Sequence, residues 1–375
     1  MSRVLVTASL IVKNEERFLG DCLKSLKGFA EETVVVDTGS TDRTIEIARE
    51  AGARVYEFPW TGDFSAARNR ALDLSTGEWI LYIDADERVR PDTTANLRAQ
   101  LSSPSHLGYE VLLHPHKGFT PYRVLRLFRN YPSIRFRGVI HENMWPSIEE
   151  YQALHGGLIG QSDMMMDHEG YEGDQRRKHE RNLPLLLAGV QENPTRVYSW
   201  SHMASIYRDL GERELAEKSW RTALDLVRRR RWIVADNIMP YLGLIEMGLT
   251  KGADVSDLLA EAIGRFPNNP QLEWMMAHSL MNKSEFIEAI ACFERLVVRG
   301  KAKNYDYGLA CDLRLFDQFA YEAIATCYFR LGRYAESRRY YQLALDQAPE
   351  KLEYRVKHSL CARLEAMTAD EKARP

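Results

Sequence analysis

Long apolar runs are missing from this chain: none approaches the roughly 20 residues needed to span a bilayer. The first residues enter a strand-like run, with no signal-peptide pattern. Cysteine is sparse, five in 375 residues (Cys22, Cys292, Cys311, Cys327, Cys361), odd in number and without close pairs. That argues against a disulfide framework or a zinc site and for buried free thiols in a reducing, cytoplasmic compartment. An excess of positive charge is absent too. Lys and Arg total 50 against 53 Asp and Glu, a net charge of −3, so nucleic acid is not the expected partner. Glycine-rich phosphate loops are also missing. Gly39 stands alone, so neither the P-loop nor the Gly-x-Gly-x-x-Gly spacing applies. Any phosphate must then be held by a metal and by cationic side chains.

What is present is an ordinary globular composition, 45% hydrophobic and 27% charged, over a length suited to about two or three domains. The first part alternates strands and helices: strand Val4–Val12, helix Glu15–Leu26, strand Thr33–Val36, helix Arg43–Ala51, strand Arg54–Phe58, helix Phe64–Leu74 and strand Trp79–Ile83. This order predicts an α/β fold with a mainly parallel sheet covered by helices. Gly108–His114 and Tyr122–Phe128 read as further strands of a mixed edge. From about Gln175 the period changes to that of helices. Trp200-x-x-Met203-Ala204-x-x-Tyr207, followed by Gly211, Ala216, Trp220 and Ala223, has the layout of a 34-residue helical-hairpin repeat. Tyr321-x-x-Ile324-Ala325-x-x-Tyr328, followed by Gly332, Tyr334, Tyr341, Ala344 and Pro349, repeats it. Met239–Pro267 and Met276–Leu296 are fainter copies. Small residues (Ala204, Gly243, Ala277, Ala325) fall at the close-approach position of each first helix, and insertions are expected near 228–232 and 300–308. The expected domains are residues 1–172 and 173–375. The second should present a concave surface to a partner.

The run Trp79-Ile80-Leu81-Tyr82-Ile83-Asp84-Ala85-Asp86-Glu87 carries the strongest chemical signal. A buried strand that ends in carboxylates needs something positive at its tip. A divalent metal bearing nucleotide phosphates fits, because hard cations share carboxylate and phosphate oxygens. The plain reading is a strand followed by a solvated acidic turn. Side chains alternate along an extended segment, so Asp84 and Asp86 are expected on one side. The other strand ends are polar as well: Lys13-Asn14-Glu15 after the first and Asp37-Thr38-Gly39-Ser40 after the second. Asp42 or Thr41 can cap the helix that follows.

Ser9–Glu15, Val34–Asp42, Ala67-Arg68-Asn69-Arg70-Ala71 and Asp84-Ala85-Asp86-Glu87 together resemble the family 2 glycosyltransferases of GT-A fold, in their order and spacing, over residues 4–170. With C-terminal helical segments that resemble tetratricopeptide repeats, the whole resembles bacterial peptide and protein glycosyltransferases, including the sublancin-type enzymes that glycosylate a cysteine. The resemblance implies a nucleotide-sugar donor, UDP-linked by default, Mg²⁺ or Mn²⁺, an inverting displacement, and an acceptor peptide, protein or glycan held by the repeats. Asn14, Glu15, Asp37, Gly39, Ser40, Arg68, Asp84 and Ala85 would line the nucleotide site. Asp37 would take a hydrogen bond from base or ribose, against a plain reading as a turn-forming Asp. For Glu15 the plain reading is a helix first-turn acid. Arg68 would pair with a phosphate or with Asp84, against an exposed helix Arg. Asp86 and His168 would ligate the metal, with Asp84 at the metal or the ribose. Phe136-Arg137-Gly138-Val139-Ile140-His141-Glu142 and Met166-Asp167-His168-Glu169-Gly170-Tyr171 resemble two later family segments. Glu142 is the candidate base, and His141 a ligand, an acceptor contact or an orienting partner.

Three other features have plainer readings. Arg228–Arg231 reads as a solvated helix end rather than a site for an anionic partner. Met164–Met166 reads as strand core, and Tyr305 and Tyr307 as loop aromatics packed on helices. The repeats offer surfaces for a homodimer, and two competing functions stand beside the transferase: a repeat-based interaction protein whose α/β half only senses nucleotide sugars, and a nucleotidyltransferase. The acids argue against the first and the absent glycine-rich loop against the second.

Overall fold

The computed structural model describes residues 5–102, 105–170, 175–230 and 234–373. Val4, Tyr171, Arg231, Trp232 and the expected domain boundary at 172/173 lie outside them. The chain divides into two compact units, Met1–Lys117 with Pro121–Ile206, and Gly118–Thr120 with Tyr207–Pro375.

The first unit carries strands β1 (Val6–Val12), β2 (Glu32–Asp37), β3 (Arg54–Glu57), β4 (Trp79–Tyr82), β5 (Glu87–Val89), β6 (His106–His114), β7 (Tyr122–Arg129) and β8 (Leu158–His168). Its helices are α1 (Leu19–Ser25), α2 (Thr44–Glu50), α3 (Phe64–Leu74), α4 (Ala95–Gln100), α5 (Trp145–His155), α6 (Gln175–Glu192) and the greater part of α7 (Val197–Asp209). The strands form one sheet in the order β3-β2-β1-β4-β7-β6-β8-β5. The pairs within β3-β2-β1-β4 are parallel, as helical crossovers dictate. Beyond β4 the expectation of a mainly parallel sheet gives way to a mixed one. β7 is antiparallel to both β4 and β6, and β8 is parallel to β6. The connection from β6 to β7 is too short for a crossover, so the chain returns antiparallel.

Burial of β4 on both faces explains its continuous apolar run. Trp79, Leu81 and Ile83 pack with Leu19 and Leu23 of α1. Ile80 packs on the other face with Leu72 of α3 and Phe128 of β7. Met164 and Met166 are fully buried in the core, as the plain reading has it. Asp63 caps α3 by accepting the Ala66 N–H at 3.2 Å. The first helix begins at Leu19 rather than at Glu15, whose carbonyl accepts the N–H groups of Phe18 and Leu19 ahead of it. Glu15 is therefore not a first-turn helix acid.

The second unit is helical: α8 (Arg213–Arg228), α9 (Met239–Thr250), α10 (Ser256–Arg265), α11 (Pro270–Asn282), α12 (Phe286–Lys301), α13 (Gln318–Arg330), α14 (Tyr334–Gln347) and α15 (Leu352–Ala373). Neighbours pack in succession, α8 on α9, α9 on α11, α11 on α12, α12 on α13, α13 on α14 and α14 on α15. The expected insertions fall between α8 and α9 and between α12 and α13. Ala277 and Ala325 are fully buried at the close-approach positions. A Cβ on Gly243 would lie 2.3 Å from the buried Trp220 ring, so only glycine admits that ring. Arg228 pairs with Glu261 at 2.6 Å, as an ion-paired helix end. Tyr305 packs on Phe316, ring centroids 5.3 Å apart. All five cysteines are buried and unbridged. Among the described residues no helix is long and apolar enough to cross a membrane.

His278 of α11 is packed between Trp274 and Phe293, with its Nε2 buried and without a hydrogen-bond partner. Burial pushes its pKa below the ordinary value of 6.5, although Glu322 pulls the other way. Such a group leaves stability intact above its ordinary value. Below that value the unfolded chain takes up a proton that the folded chain resists. The second unit should therefore lose thermal stability as pH falls below 6.5. His278→Phe should flatten that fall, as measured by calorimetry at stepped pH.

Candidate active site

The sheet topology brings the carboxyl ends of β1, β2, β4 and β8 to the acids the sequence singled out. After β1, Asn14 takes a left-handed backbone (φ 57°), donates its N–H to Ser40 Oγ at 2.9 Å and accepts the Thr41 N–H on Oδ1 at 2.7 Å. At the end of β2, Asp37 is buried. Its Oδ1 accepts the N–H groups of Gly39 and Ser40, each at 2.9 Å, with Gly39 at φ 109°. Asp37 thus builds the turn, as its plain reading predicts. Its other oxygen, Oδ2, is buried with no hydrogen-bond partner. A lone buried acceptor costs about 1–3 kcal/mol, which a donor group of a ligand would relieve. Glu15, half-buried beside this turn, has its carboxyl pushed up to about 7 by burial first and then by Asp86, Asp84 and Asp42. Acids from three strand ends therefore share one field.

Below them runs a chain of alternating charges. Glu87, opening β5, accepts the Asp84 N–H on Oε2 at 2.9 Å and is ion-paired through Oε1 with Nη2 of Arg126. Nη2 of Arg126 also lies 3.6 Å from Asp84 Oδ2. Asp84 Oδ1 accepts from Arg68 Nη2 at 2.6 Å, and Arg68 Nε donates to Glu142 Oε1 at 2.6 Å. Both guanidiniums lie against Tyr82, 5.1 Å (Arg68) and 4.3 Å (Arg126) from the ring centroid. Burial would raise the Asp84 carboxyl, but Arg68 and Arg126 outweigh it and hold the group well below the usual range. For Glu87, burial wins over Arg126 and pushes the carboxyl up. Of the two roles expected for Arg68, the pairing with Asp84 is the one observed, and its second partner is the candidate base. It is buried, not an exposed helix Arg.

Asp86 and Asp84 part company. The chain turns at this point, with the Glu87 N–H donating to the Asp84 carbonyl at 3.0 Å, so the extended-segment alternation does not apply. Asp86 Oδ2 lies 3.0 Å from His168 Nε2, their side chains 26% and 23% exposed. His168 is raised: burial opposes protonation, and the hydrogen bond and charge of Asp86, then Glu87 and Asp84, outweigh it. Ala85 turns its methyl into the core, and its carbonyl accepts from Arg88 Nη1 at 2.8 Å. It does not project a side chain towards a nucleotide. Among the described residues no three His, Cys, Asp or Glu side chains are grouped to hold a metal ion. Asp84, expected as a ligand, is held by the two arginines. Asp86 and His168 form an accessible oxygen–nitrogen donor pair. The Asp86 carboxylate oxygen of the pair suits Mg²⁺ or Mn²⁺, which commonly complete their shells with substrate phosphate and water.

His141 adopts a left-handed backbone (φ 52°), and its ring lies against Tyr198 (5.1 Å between centroids) and His202 (4.4 Å) of α7. Arg126, Glu87, Tyr198 and His202 have structural roles that the motif reading does not assign. Arg126 left a usable signal: an arginine inside the apolar run Val124-Leu125-Arg126-Leu127-Phe128 must find carboxylates. Tyr198 and His202 left none, because they meet His141 only in three dimensions.

Arg126→Ala should strand the buried Glu87 carboxylate and cost about 3–5 kcal/mol in urea unfolding, and adding Glu87→Leu should recover part of the loss. A Cβ on Gly170 would fall 1.8 Å from Asp86 Oδ2. Gly170→Ala should therefore displace the Asp86 carboxylate and cost about 1–3 kcal/mol, with the His168 titration, followed by NMR, returning towards its ordinary value.

Residues 8–148 match the sequence profile of the family Glycosyl transferase family 2, and residues 318–351 match a tetratricopeptide repeat. A TPR repeat-containing protein of Synechococcus elongatus is 37% identical over 220 residues, covering 57% of this chain and 55% of that protein. The SPbeta prophage-derived glycosyltransferase SunS of Bacillus subtilis is 27% identical over 207 residues, 50% of this chain and 46% of that protein. The chain spans about half the length of these relatives. A crystal structure of residues 1–349 of Staphylococcus aureus TarS in complex with UDP-GlcNAc superposes with a TM-score of 0.42 at 15% identity, over 71% of this chain and 93% of that one. The sheet of the first unit, the acids at its strand ends and the two profile matches agree: the chain carries a family 2 glycosyltransferase domain followed by a tetratricopeptide repeat.

Proposed function

We propose that the chain is an inverting glycosyltransferase that moves a sugar from a nucleotide donor, UDP-linked by default, to a peptide or protein acceptor. The donor site would lie within residues 1–172, and residues 173–375 would hold the acceptor. The observation that carries the reading is the coincidence of the family 2 match with the acids gathered at the ends of β1, β2 and β4. In this reading Asp37 Oδ2 accepts a hydrogen bond from the base or ribose. Asp86 and His168 hold Mg²⁺ or Mn²⁺, which when bound would neutralise charge on the diphosphate. Arg68 orients Asp84 and Glu142 together. Glu142, one oxygen anchored on Arg68, takes the acceptor proton on its other oxygen, Oε2. Stacked helical hairpins suit recognition of an extended peptide. Five buried, unbridged cysteines support a reducing, cytoplasmic setting.

Thermal-shift screening of UDP-sugars with Mn²⁺ tests this. A donor at about 100 times its Kd should stabilise the first unit by about 2.7 kcal/mol. Asp86→Ala should abolish the metal-dependent part of the shift. Glu142→Gln should keep donor binding and lower turnover by about 10²–10⁴-fold. No stabilisation and no release of UDP with any donor would remove the reading.

A further inference from the structure

The segment 138–142 that carries Glu142 is gripped from two sides. On one side stands the first turn of α3. The Phe64 N–H donates to the Val139 carbonyl at 3.0 Å, Ser65 Oγ donates to the Gly138 carbonyl at 2.7 Å, and Arg68 holds the Glu142 carboxylate. On the other side stands Arg196, at the entry to α7. Its Nη2 donates to the His141 carbonyl and its Nη1 to the Ile140 carbonyl at 3.3 Å. The guanidinium packs so closely on Gly138 (φ 105°) that a Cβ there would meet Nη1 at 2.8 Å. Tyr198 and His202, two and six residues on, lie against the His141 ring. The left-handed His141 is a costly conformation for a residue with a side chain. It persists because these contacts over-determine it, and it sets the direction in which the next residue, Glu142, leaves the backbone. Arg196 is half-buried, and burial lowers its pKa, partly offset by Tyr198 and Glu142.

We propose that Arg196 is a positioning residue for the Glu142 carboxylate, acting through the backbone of residues 138–142; this rests on the reading of Glu142 as the base. The helix that opens the repeat-like part of the sequence is thereby a working part of the transferase unit. A forked guanidinium can satisfy two adjacent carbonyls, which a lysine ammonium does not reproduce.

In the full-length protein, Arg196→Ala, Arg196→Lys and Glu142→Gln are compared by amide hydrogen exchange over residues 138–143 and by UDP release from UDP-N-acetylglucosamine and UDP-glucose with Mn²⁺. For Arg196→Ala, exchange over 138–143 should rise by about tenfold, with β1 and β4 unchanged. Its kcat should fall by about 10²-fold while donor KM stays within about twofold. Added guanidinium should restore part of the rate, and Arg196→Lys should not rescue it. Unchanged exchange at 138–143, or an unchanged kcat beside an inactive Glu142→Gln, overturns the proposal. A parallel loss of donor binding overturns it too, since the arginine would then support the donor site. If Glu142→Gln keeps the parent rate, or the parent releases no UDP, the base reading has failed, and this inference falls with it for a separately visible reason. Should Arg196→Ala not fold, Arg196→Gln, which keeps the volume and loses the fork, gives the same discrimination.

Discussion

The succession Glu87–Arg126–Asp84–Arg68–Glu142, buried except at the part-exposed Asp84, is the constraint on which the first unit depends. Each arginine lies between two carboxylates, so no charge in the series is left alone in the interior. An isolated buried charge is not tolerated, and breaking one link exposes the next. Five elements converge on this series: α3 supplies Arg68, the end of β4 Asp84, β5 Glu87, β7 Arg126, and the segment before α5 Glu142. It therefore links the acid at the end of β4 to Glu142 through Arg68.

Beside this series the excess of acid grows. Asp86, Asp84 and Asp42 all act on Glu15, and the His168 imidazole lies 3.0 Å from Asp86. Glu15, Asp84 and Asp86 are partly open to solvent, whereas Arg68 and Arg126 are buried. The helical unit follows a different rule. Small residues let helices approach, and aromatic side chains such as Trp220 fill the space so made.

Much of this was legible in the sequence because it is governed by periods and local chemistry. The strand and helix alternation up to Trp79, the small residues Gly243, Ala277 and Ala325, the strand-core methionines and the insertions after α8 and α12 all follow from spacing. The acids Asp37, Asp84 and Asp86 follow from position at strand ends. What was misread depends on turns of the chain that no period reports. Extended-segment alternation places Asp84 and Asp86 on one side, whereas a turn between them leaves one paired with the arginines and the other with His168. Glu15 reads as helical from its spacing, whereas the helix begins four residues later, at Leu19. Short elements such as β5 and α4 carry too few residues to show a period.

The sequence alone determined the alternation of strands and helices up to Trp79 and where the carboxylates stand along the chain, since burial patterns and strand ends are local properties. Only the tertiary structure decided which charge each carboxylate answers to. It pairs Arg126 with Glu87 and Asp84, Arg68 with Asp84 and Glu142, and Arg196 with the backbone before Glu142. The physical reason is that ion pairing acts over a few ångströms between residues far apart in the chain. Partner choice is therefore set by the packing of the sheet and its helices rather than by any neighbour in sequence.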